Sequence, residues 1–146
     1  IGGSSQFPWS YADGIVRKEV DKFQFTHVFY IDSAPNNDSI ELVTPIIEIL
    51  NPTVIMRIKA NLLTKTPKIV ENEFHTDFKM SEEKLKHWTT SIFYVNTNNG
   101  YTVFEDGTKV ESVANRMLTF PSNLKHCGTS CTDKNIRSVI NFNYLL

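Results

Sequence analysis

Two side chains that commonly bind metals lie two residues apart in the tripeptide His75-Thr76-Asp77. On extended backbone, residues i and i+2 point to the same side, so both side chains can reach one metal ion. His126, further along the chain, can supply a third ligand. Two neutral imidazoles and one carboxylate are the ligand set of non-haem iron(II) oxygenases, which keep coordination positions open. The sequence therefore predicts an iron(II) site at His75, Asp77 and His126.

One arginine, Arg137, follows His126 on the last predicted strand. Val139, Asn141 and Asn143 share its parity, so we expect these side chains to face the metal site together. A guanidinium group can bind a carboxylate through two parallel hydrogen bonds, which a lysine cannot reproduce. A dicarboxylate co-substrate needs such an anchor, and Arg137 is the predicted one.

These four residues resemble those of the 2-oxoglutarate and iron(II)-dependent dioxygenases, most closely the prolyl 4-hydroxylase-like branch. The resemblance covers roughly residues 54–144 and rests on the order and spacing of His75, Asp77, His126 and Arg137. Residues 93–96 and 100–104 are similar to the family's strand, turn and strand between the two metal-binding regions. The resemblance implies a mainly β fold, the double-stranded β-helix or cupin-like jelly roll, with one or two flanking helices packed outside.

The same resemblance implies the chemistry. Two of the three free iron positions would take 2-oxoglutarate and the third would take O2, while Arg137 would bind the far carboxylate. Oxidative decarboxylation would release succinate and CO2 and hydroxylate a peptidyl side chain, such as proline, or a small amino-acid-like substrate. His75, Asp77 and His126 would then be the catalytic residues.

Further co-substrate contacts are expected from the resemblance. Family members often place a polar residue on the strand before the metal motif, where Lys59 and Asn61 share a face, and we favour Asn61. Asn141, on the same face as Arg137, is a second candidate. Phe93 stands where some members carry a co-substrate-binding tyrosine, which leaves the remaining carboxylate partners open.

Three alternative functions would need different residues or no catalysis. A nucleic-acid demethylase of the same superfamily usually carries a second arginine where this chain has Asn143, and a halogenase replaces the carboxylate that Asp77 supplies. From another class, a cupin-like barrel that binds a metal or small ligand without catalysis remains the alternative function. Taken singly, each histidine is equally compatible with a solvated strand or loop.

Composition bounds the class of protein. The 146 residues fit a single domain, 1–146, and the net charge of −1 with mixed signs predicts no nucleic-acid partner and no anionic membrane partner. No apolar stretch approaches a membrane span and no signal segment opens the chain, so a cytoplasmic location is expected. The first residue is Ile1, which leaves room for residues upstream. Cys127 and Cys131 are predicted to be free thiols.

Hydrophobic periodicity supplies the elements that must position these residues. Period-two alternation predicts strands over residues 23–31 and 53–63, with Arg57, Lys59 and Asn61 on one face of the second. A helix is predicted over residues 40–50, capped by Asp38. Short strands follow at 91–96, 101–105, 108–113, 117–121 and 136–146, with hairpin turns at 98–100 and 106–107. The charged segment 79–87 is either a lid or an ordinary solvated connection.

Overall fold

The structure is a computed structural model and describes residues 7–18 and 21–146. The helices are a 3-10 helix at Asp38–Leu42, α1 (Thr44–Leu50) and α2 (Glu82–Leu85). The strands are β1 (Ser10–Ala12), β2 (Gln24–Ile31), β3 (Ala34–Pro35), β4 (Val54–Thr64), β5 (Thr89–Tyr94), β6 (Tyr101–Phe104), β7 (Lys109–Glu111), β8 (Met117–Pro121), β9 (His126–Gly128) and β10 (Ile136–Leu145). No helix among the described residues is long and apolar enough to cross a membrane.

The strands form two antiparallel sheets. The larger sheet has the order β1-β2-β4-β10-β5-β8, with β3 also paired to β2, and the smaller sheet has the order β7-β6-β9. Strands that are neighbours in a sheet are mostly distant in sequence, because the chain crosses repeatedly from one sheet to the other. The predicted mainly β fold, a double-stranded β-helix with helices outside, is confirmed.

Alternation along the central strands of the large sheet separates an outer core from an inner cavity. Ile58 and Ala60 of β4 and Phe142 of β10 are buried in the outer core, where α1 covers them. Arg57 and Lys59 alternate with Ile58 and Ala60 along β4, so they point to the opposite side of the sheet and face the cavity between the two sheets. The alternating pattern predicted for residues 53–63 is thus confirmed, and it places polar groups inside the roll.

The predicted single helix over residues 40–50 is wrong in one respect, because a 3-10 helix and α1 divide this segment. Pro45 lies in the first turn of α1, where its missing N–H costs nothing, whereas a helix running through it would clash with the preceding turn. The cap is also different from the predicted Asp38, since the Asn37 side chain accepts a hydrogen bond from the Ser39 N–H at 3.0 Å. The predicted end is confirmed by left-handed Asn51.

The two predicted hairpin turns have different outcomes. Gly107, at a φ of +87°, joins the paired strands β6 and β7 as predicted. The turn at 98–100 is not a hairpin, because it carries the chain from β5 in the large sheet to β6 in the small one. Asn98 makes this connection by accepting a hydrogen bond from the Gly100 N–H at 2.9 Å through its side chain.

Some short elements were not predicted. Strand β9 has only three residues and includes a glycine, so it shows no alternating pattern. Segment 79–87 contains the one-turn helix α2, which anchors the buried Leu85 while its charged side chains face solvent. Cys127 and Cys131 are buried and free, as predicted.

Candidate metal centre

The chain brings His75 and His126 together by pairing their backbones. The His75 N–H donates to the His126 carbonyl at 3.0 Å, and the His126 N–H donates to the His75 carbonyl at 3.1 Å. This bridge joins the segment after β4 to the first residue of β9. Directly opposed residues of an antiparallel pair project their side chains to the same face. The two rings therefore lie side by side, with centroids 4.9 Å apart.

Asp77 completes a compact group of three potential metal ligands. One ligand atom from each of His75, Asp77 and His126 lies within 4.8 Å of the other two. Asp77 Oδ1 is 3.6 Å from Nε2 of His75 and 3.4 Å from Nε2 of His126. His75 and Asp77 occupy alternate positions of the chain, as their spacing predicted. The three donor atoms converge on a volume that one ion can fill.

Both imidazoles are oriented for metal binding through Nε2. Nδ1 of His75 lies 3.0 Å from the Glu73 carbonyl oxygen, and Nδ1 of His126 lies 3.2 Å from the Leu124 carbonyl oxygen. A carbonyl only accepts, so in the neutral rings each Nδ1 carries the hydrogen and each Nε2 keeps its lone pair. Hydrogen bonds of this kind fix the tautomer and ring orientation of metal-binding histidines.

Asp77 is held as a buried anion by its neighbours. Asn143 on β10 donates from Nδ2 to Asp77 Oδ2 at 2.8 Å, which leaves Oδ1 for the site. Burial alone would raise the pKa of Asp77, but the nearby His126 and His75 side chains and the hydrogen bond from Asn143 hold it well below its ordinary value. Burial alone would lower the pKa of His75, but the Asp77 carboxylate, with Oδ1 3.6 Å from its Nε2, and the hydrogen bond to the Glu73 carbonyl raise it instead. The residues present thus fit a divalent cation.

Aromatic rings enclose one side of the site. The Phe120 ring lies edge-on to the His126 ring with centroids 4.9 Å apart, and Phe104 packs against Phe120 at the same distance. His126 is 3% exposed as a result, whereas the side chain of His75 is 27% exposed. The approach to the ligand group is therefore from the His75 side.

A cavity of about 440 Å³ opens beside the three ligands. Sites for small molecules typically have volumes of about 300–1,000 Å³. Arg137, Asn61 and Asn141 line it together with the ligand group, so the structure brings every sequence-predicted site residue to one cavity. Asn61 lies on β4 opposite Val139, and Asn141 lies on β10 opposite Lys59. The side-chain oxygen of Asn141 is buried without a hydrogen-bond partner.

Arg137 is a buried cation that neutral groups hold in place. It is 3% exposed and donates from Nε to Ser112 Oγ at 2.9 Å and from Nη2 to Thr102 Oγ1 at 3.4 Å. Burial lowers its pKa, and among the described residues no carboxylate acts on it to offset that cost. An unpaired buried charge is strongly unfavourable unless an opposite charge joins it. The guanidinium group therefore favours the binding of an anion in the cavity.

Two glycines make room for Arg137. A side-chain carbon on Gly100 would lie 2.6 Å from Cδ of Arg137, and one on Gly128 would lie 3.2 Å from its Nη1. Gly100 is thus required for close approach and not for a left-handed turn. No sequence pattern indicates this requirement, since Gly100 precedes β6 and Gly128 ends β9, whereas Arg137 lies on β10.

The expectation that Phe93 takes a co-substrate tyrosine's place is corrected by the structure. Phe93 packs with the outer core. Its neighbour Tyr94 faces inward, where Cζ of Arg137 lies 5.8 Å from the centroid of the Tyr94 ring. Adjacent residues of a strand face opposite sides, so a shift of one position reverses the orientation. The aromatic residue next to Arg137 is therefore Tyr94, which is fully buried and donates to Thr102 Oγ1 at 2.8 Å.

Comparison with known proteins supports the fold. An oxidoreductase of the 2OG-Fe(II) oxygenase family from Burkholderia pseudomallei is similar to this chain, with a TM-score of 0.63 and 10% identity over 96% of this chain and 74% of the other. The Clostridium difficile EutQ protein is similar with a TM-score of 0.48 and 9% identity, over 91% of this chain and 70% of the other. A cupin-family protein with a double-stranded β-helix fold from Methanocaldococcus jannaschii has a TM-score of 0.44 and 10% identity, over 61% and 69% of the two chains.

The sequence itself matches no family model and no curated protein. At 10% identity, the similarity to the Burkholderia protein, with its TM-score of 0.63, shows a shared fold alone. Fold alone does not determine function, which must be argued from the site. The prolyl 4-hydroxylase-like branch is not distinguished by these comparisons.

Proposed function

We propose that the protein is an iron(II)- and 2-oxoglutarate-dependent dioxygenase. The observation that carries the proposal is the presence of Arg137 and the His75-Asp77-His126 group in one cavity. A metal site alone would fit many cupins. Arg137 is buried beside that site, and in the described part of the chain no carboxylate acts on it, which favours an acidic co-substrate as well.

His75, Asp77 and His126 would hold the iron, and their donor set fits it. Two histidines and one carboxylate that leave positions open are the ligands typical of iron(II) oxygenases. When bound, the iron would supply the redox chemistry by which 2-oxoglutarate, O2 and a C–H bond become succinate, CO2 and a C–OH group. The protein contributes position, charge and exclusion of water.

Arg137 would bind the far carboxylate of 2-oxoglutarate. Ser112 and Thr102 hold its guanidinium group in a fixed orientation, so little conformational entropy is lost on binding. Burial also excludes water from the resulting ion pair, which strengthens it. Asn61 and Asn141 are proposed as further polar contacts, because both line the same cavity.

The proposed reaction is hydroxylation of a small amino-acid-like substrate or of a peptidyl side chain such as proline. Asn143 keeps Asp77 oriented toward the metal, and the aromatic rings of Phe104 and Phe120 keep water from His126. The more exposed His75 side of the site leaves room for the substrate. The protein would act without a nucleic-acid or membrane partner, in keeping with its net charge of −1.

The test is the formation of succinate from 2-oxoglutarate by purified protein with iron(II) and O2. Wild-type protein should form succinate only with iron(II), and Asp77→Ala should abolish it. Undiminished turnover in that variant would refute the assignment. Anaerobic calorimetry with 2-oxoglutarate separates the enzyme from a non-catalytic cupin-like module, which should show no metal-dependent affinity for it.

A further inference from the structure

The cavity beside the metal ligands is strongly cationic. Four cationic side chains line it, namely Arg57, Lys59, Lys79 and Arg137. Within the described part of the chain, Asp77 is the sole carboxylate in that lining. A divalent metal and a 2-oxoglutarate dianion would cancel each other's formal charge. The positive excess of the cavity therefore remains after both are bound.

Arg57 and Lys59 contribute positive charge to the cavity that neither the metal nor the co-substrate would neutralise. They occupy alternate positions on β4 and face the cavity. Asp77 is the one acid whose charge acts on either of them among the described residues, and its Oδ2 already accepts a hydrogen bond from Asn143. Burial lowers the pKa of both cations, so each is held at a cost in free energy.

The surroundings of Arg57 fix its place next to the metal ligands. Its guanidinium carbon lies 4.6 Å from the centroid of the Phe78 ring, and Phe78 directly follows Asp77 in the chain. The Phe78 ring thus occupies one side of the guanidinium group, whose N–H groups can donate to a ligand. Nε of Arg57 is buried and has no hydrogen-bond partner. A buried donor of this kind normally has a partner, which points to a missing acceptor.

Lys59 extends the same polar surface. It lies opposite Asn141 in the β4–β10 register, and Arg57 lies opposite Asn143. The Asn141 side-chain oxygen has no partner either. One continuous surface thus presents two cations and an unsatisfied amide to the cavity, next to the ligand group and separate from Arg137.

We propose that the oxidised substrate is a small anion whose carboxylate or phosphate group is bound by Arg57 and Lys59 beside the metal ligands. This inference rests on the proposed function and narrows it. An arginine edge and a lysine ammonium together suit anionic oxygens and would disfavour an uncharged peptide segment, since two half-buried cations would stay unpaired. The cavity volume of about 440 Å³ likewise suits a small molecule.

The experiment compares matched charged and neutral compounds in the complete enzyme with iron(II) and saturating 2-oxoglutarate. One arm uses N-acetyl amino acids and their primary amides, and the other uses phosphomonoesters and their parent alcohols. The readouts are stimulated succinate formation and hydroxylated product by mass spectrometry. In at least one arm the anion should exceed its neutral partner by about tenfold or more in kcat/KM, the size expected for a charge-assisted hydrogen bond. The arm that responds identifies the anionic group.

Substitutions of Arg57 and Lys59 test whether these two residues cause the preference for charged compounds. Arg57→Met combined with Lys59→Met should remove the difference between charged and neutral compounds. Lys59→Gln alone, which keeps a polar side chain, should reduce the difference and provides a milder change if the double variant folds poorly. Lys84→Met, at an exposed lysine of α2, should retain the wild-type preference.

Two outcomes overturn the proposal. One is an equal response to anions and neutral partners in both arms, including no response to either, and the other is a preference for anions that survives in the double variant. Failure of the proposed function is separate from these, because it appears as wild-type protein that forms no iron-dependent succinate under any condition.

Discussion

Asn143 donates a hydrogen bond from Nδ2 to Oδ2 of Asp77 at 2.8 Å, across the two elements that carry them. Asn143 is fully buried on β10, and Asp77 lies on the segment between β4 and α2. The amide therefore fixes which carboxylate oxygen faces the two histidines. Residues that orient a metal ligand in this way contribute measurably to metal affinity.

Asn143→Ala should weaken metal binding without removing a ligand. Loss of such a partner typically costs about 10- to 100-fold in metal affinity. Anaerobic calorimetry with iron(II) or manganese(II) measures the change, and circular dichroism checks that the variant is folded. Thr90→Val is the matched control, because it removes the other hydrogen-bond partner of Asn143 Nδ2, at 3.1 Å, and leaves Asp77 untouched. A folded Asn143→Ala protein with wild-type affinity contradicts the proposed orientation.

Arg137→Lys should raise the KM for 2-oxoglutarate while the metal affinity stays near that of wild type. A lysine keeps the charge but cannot form two parallel hydrogen bonds to a carboxylate. Hydrogen bonds to charged groups contribute about 1.5–3 kcal/mol, which corresponds to roughly 10- to 100-fold in KM. Steady-state succinate formation measures KM. An unchanged KM in Arg137→Lys and in Arg137→Met would mean that another residue binds the co-substrate.

The metal ligands were accessible to sequence analysis because the pattern that carries them is local. The spacing of His75 and Asp77 and the period of two along β10 depend only on neighbouring backbone geometry. The same period correctly grouped Arg137, Val139 and Asn141 on one face, and the structure shows that this face lines the cavity. Local patterns therefore predicted the strands and the common face of His75 and Asp77, whereas the double-stranded β-helix and the co-substrate contacts were implied by the family resemblance.

The remaining features depend on contacts between segments that are distant in sequence. One such feature is the hydrogen bond from Asn143 on β10 to Asp77. Another is the contact of Arg57 on β4 with the Phe78 ring. Both depend on how β4 and β10 pack against the segment that carries His75 and Asp77. Phe93 packs with the outer core and Tyr94 lies beside Arg137, because adjacent residues of a strand face opposite sides and an error of one position reverses the predicted face. The prediction of one helix over residues 40–50 was wrong near Pro45, because the apolar residues continue across the break between the 3-10 helix and α1.

Gly100→Ala should weaken co-substrate binding and stability together. The added carbon would lie 2.6 Å from Arg137 Cδ and 2.7 Å from the Ser130 carbonyl oxygen. Overpacking of this kind costs about 1–3 kcal/mol, and here the displaced group includes Arg137. We expect a lower melting temperature and a higher KM for 2-oxoglutarate.

Gly107→Ala is the matched control for that substitution. No atom lies within 4 Å of its added carbon, but its φ of +87° disfavours a side chain. It should lower stability by about 1–2 kcal/mol and leave the KM for 2-oxoglutarate unchanged. Similar KM values for the two variants would show that the Gly100 position does not govern Arg137.

Cys127 and Cys131 should react slowly with thiol reagents in the folded protein. Both are fully buried, and burial raises the pKa of each thiol above its ordinary value. The thiolate is the reactive form, so at pH 8 a raised pKa leaves less of it than an exposed cysteine would have. Iodoacetamide labelling followed by mass spectrometry should show little modification of native protein and rapid modification of both residues in denaturant. Rapid labelling of either cysteine under native conditions would contradict the packing of β9 and the loop that follows it.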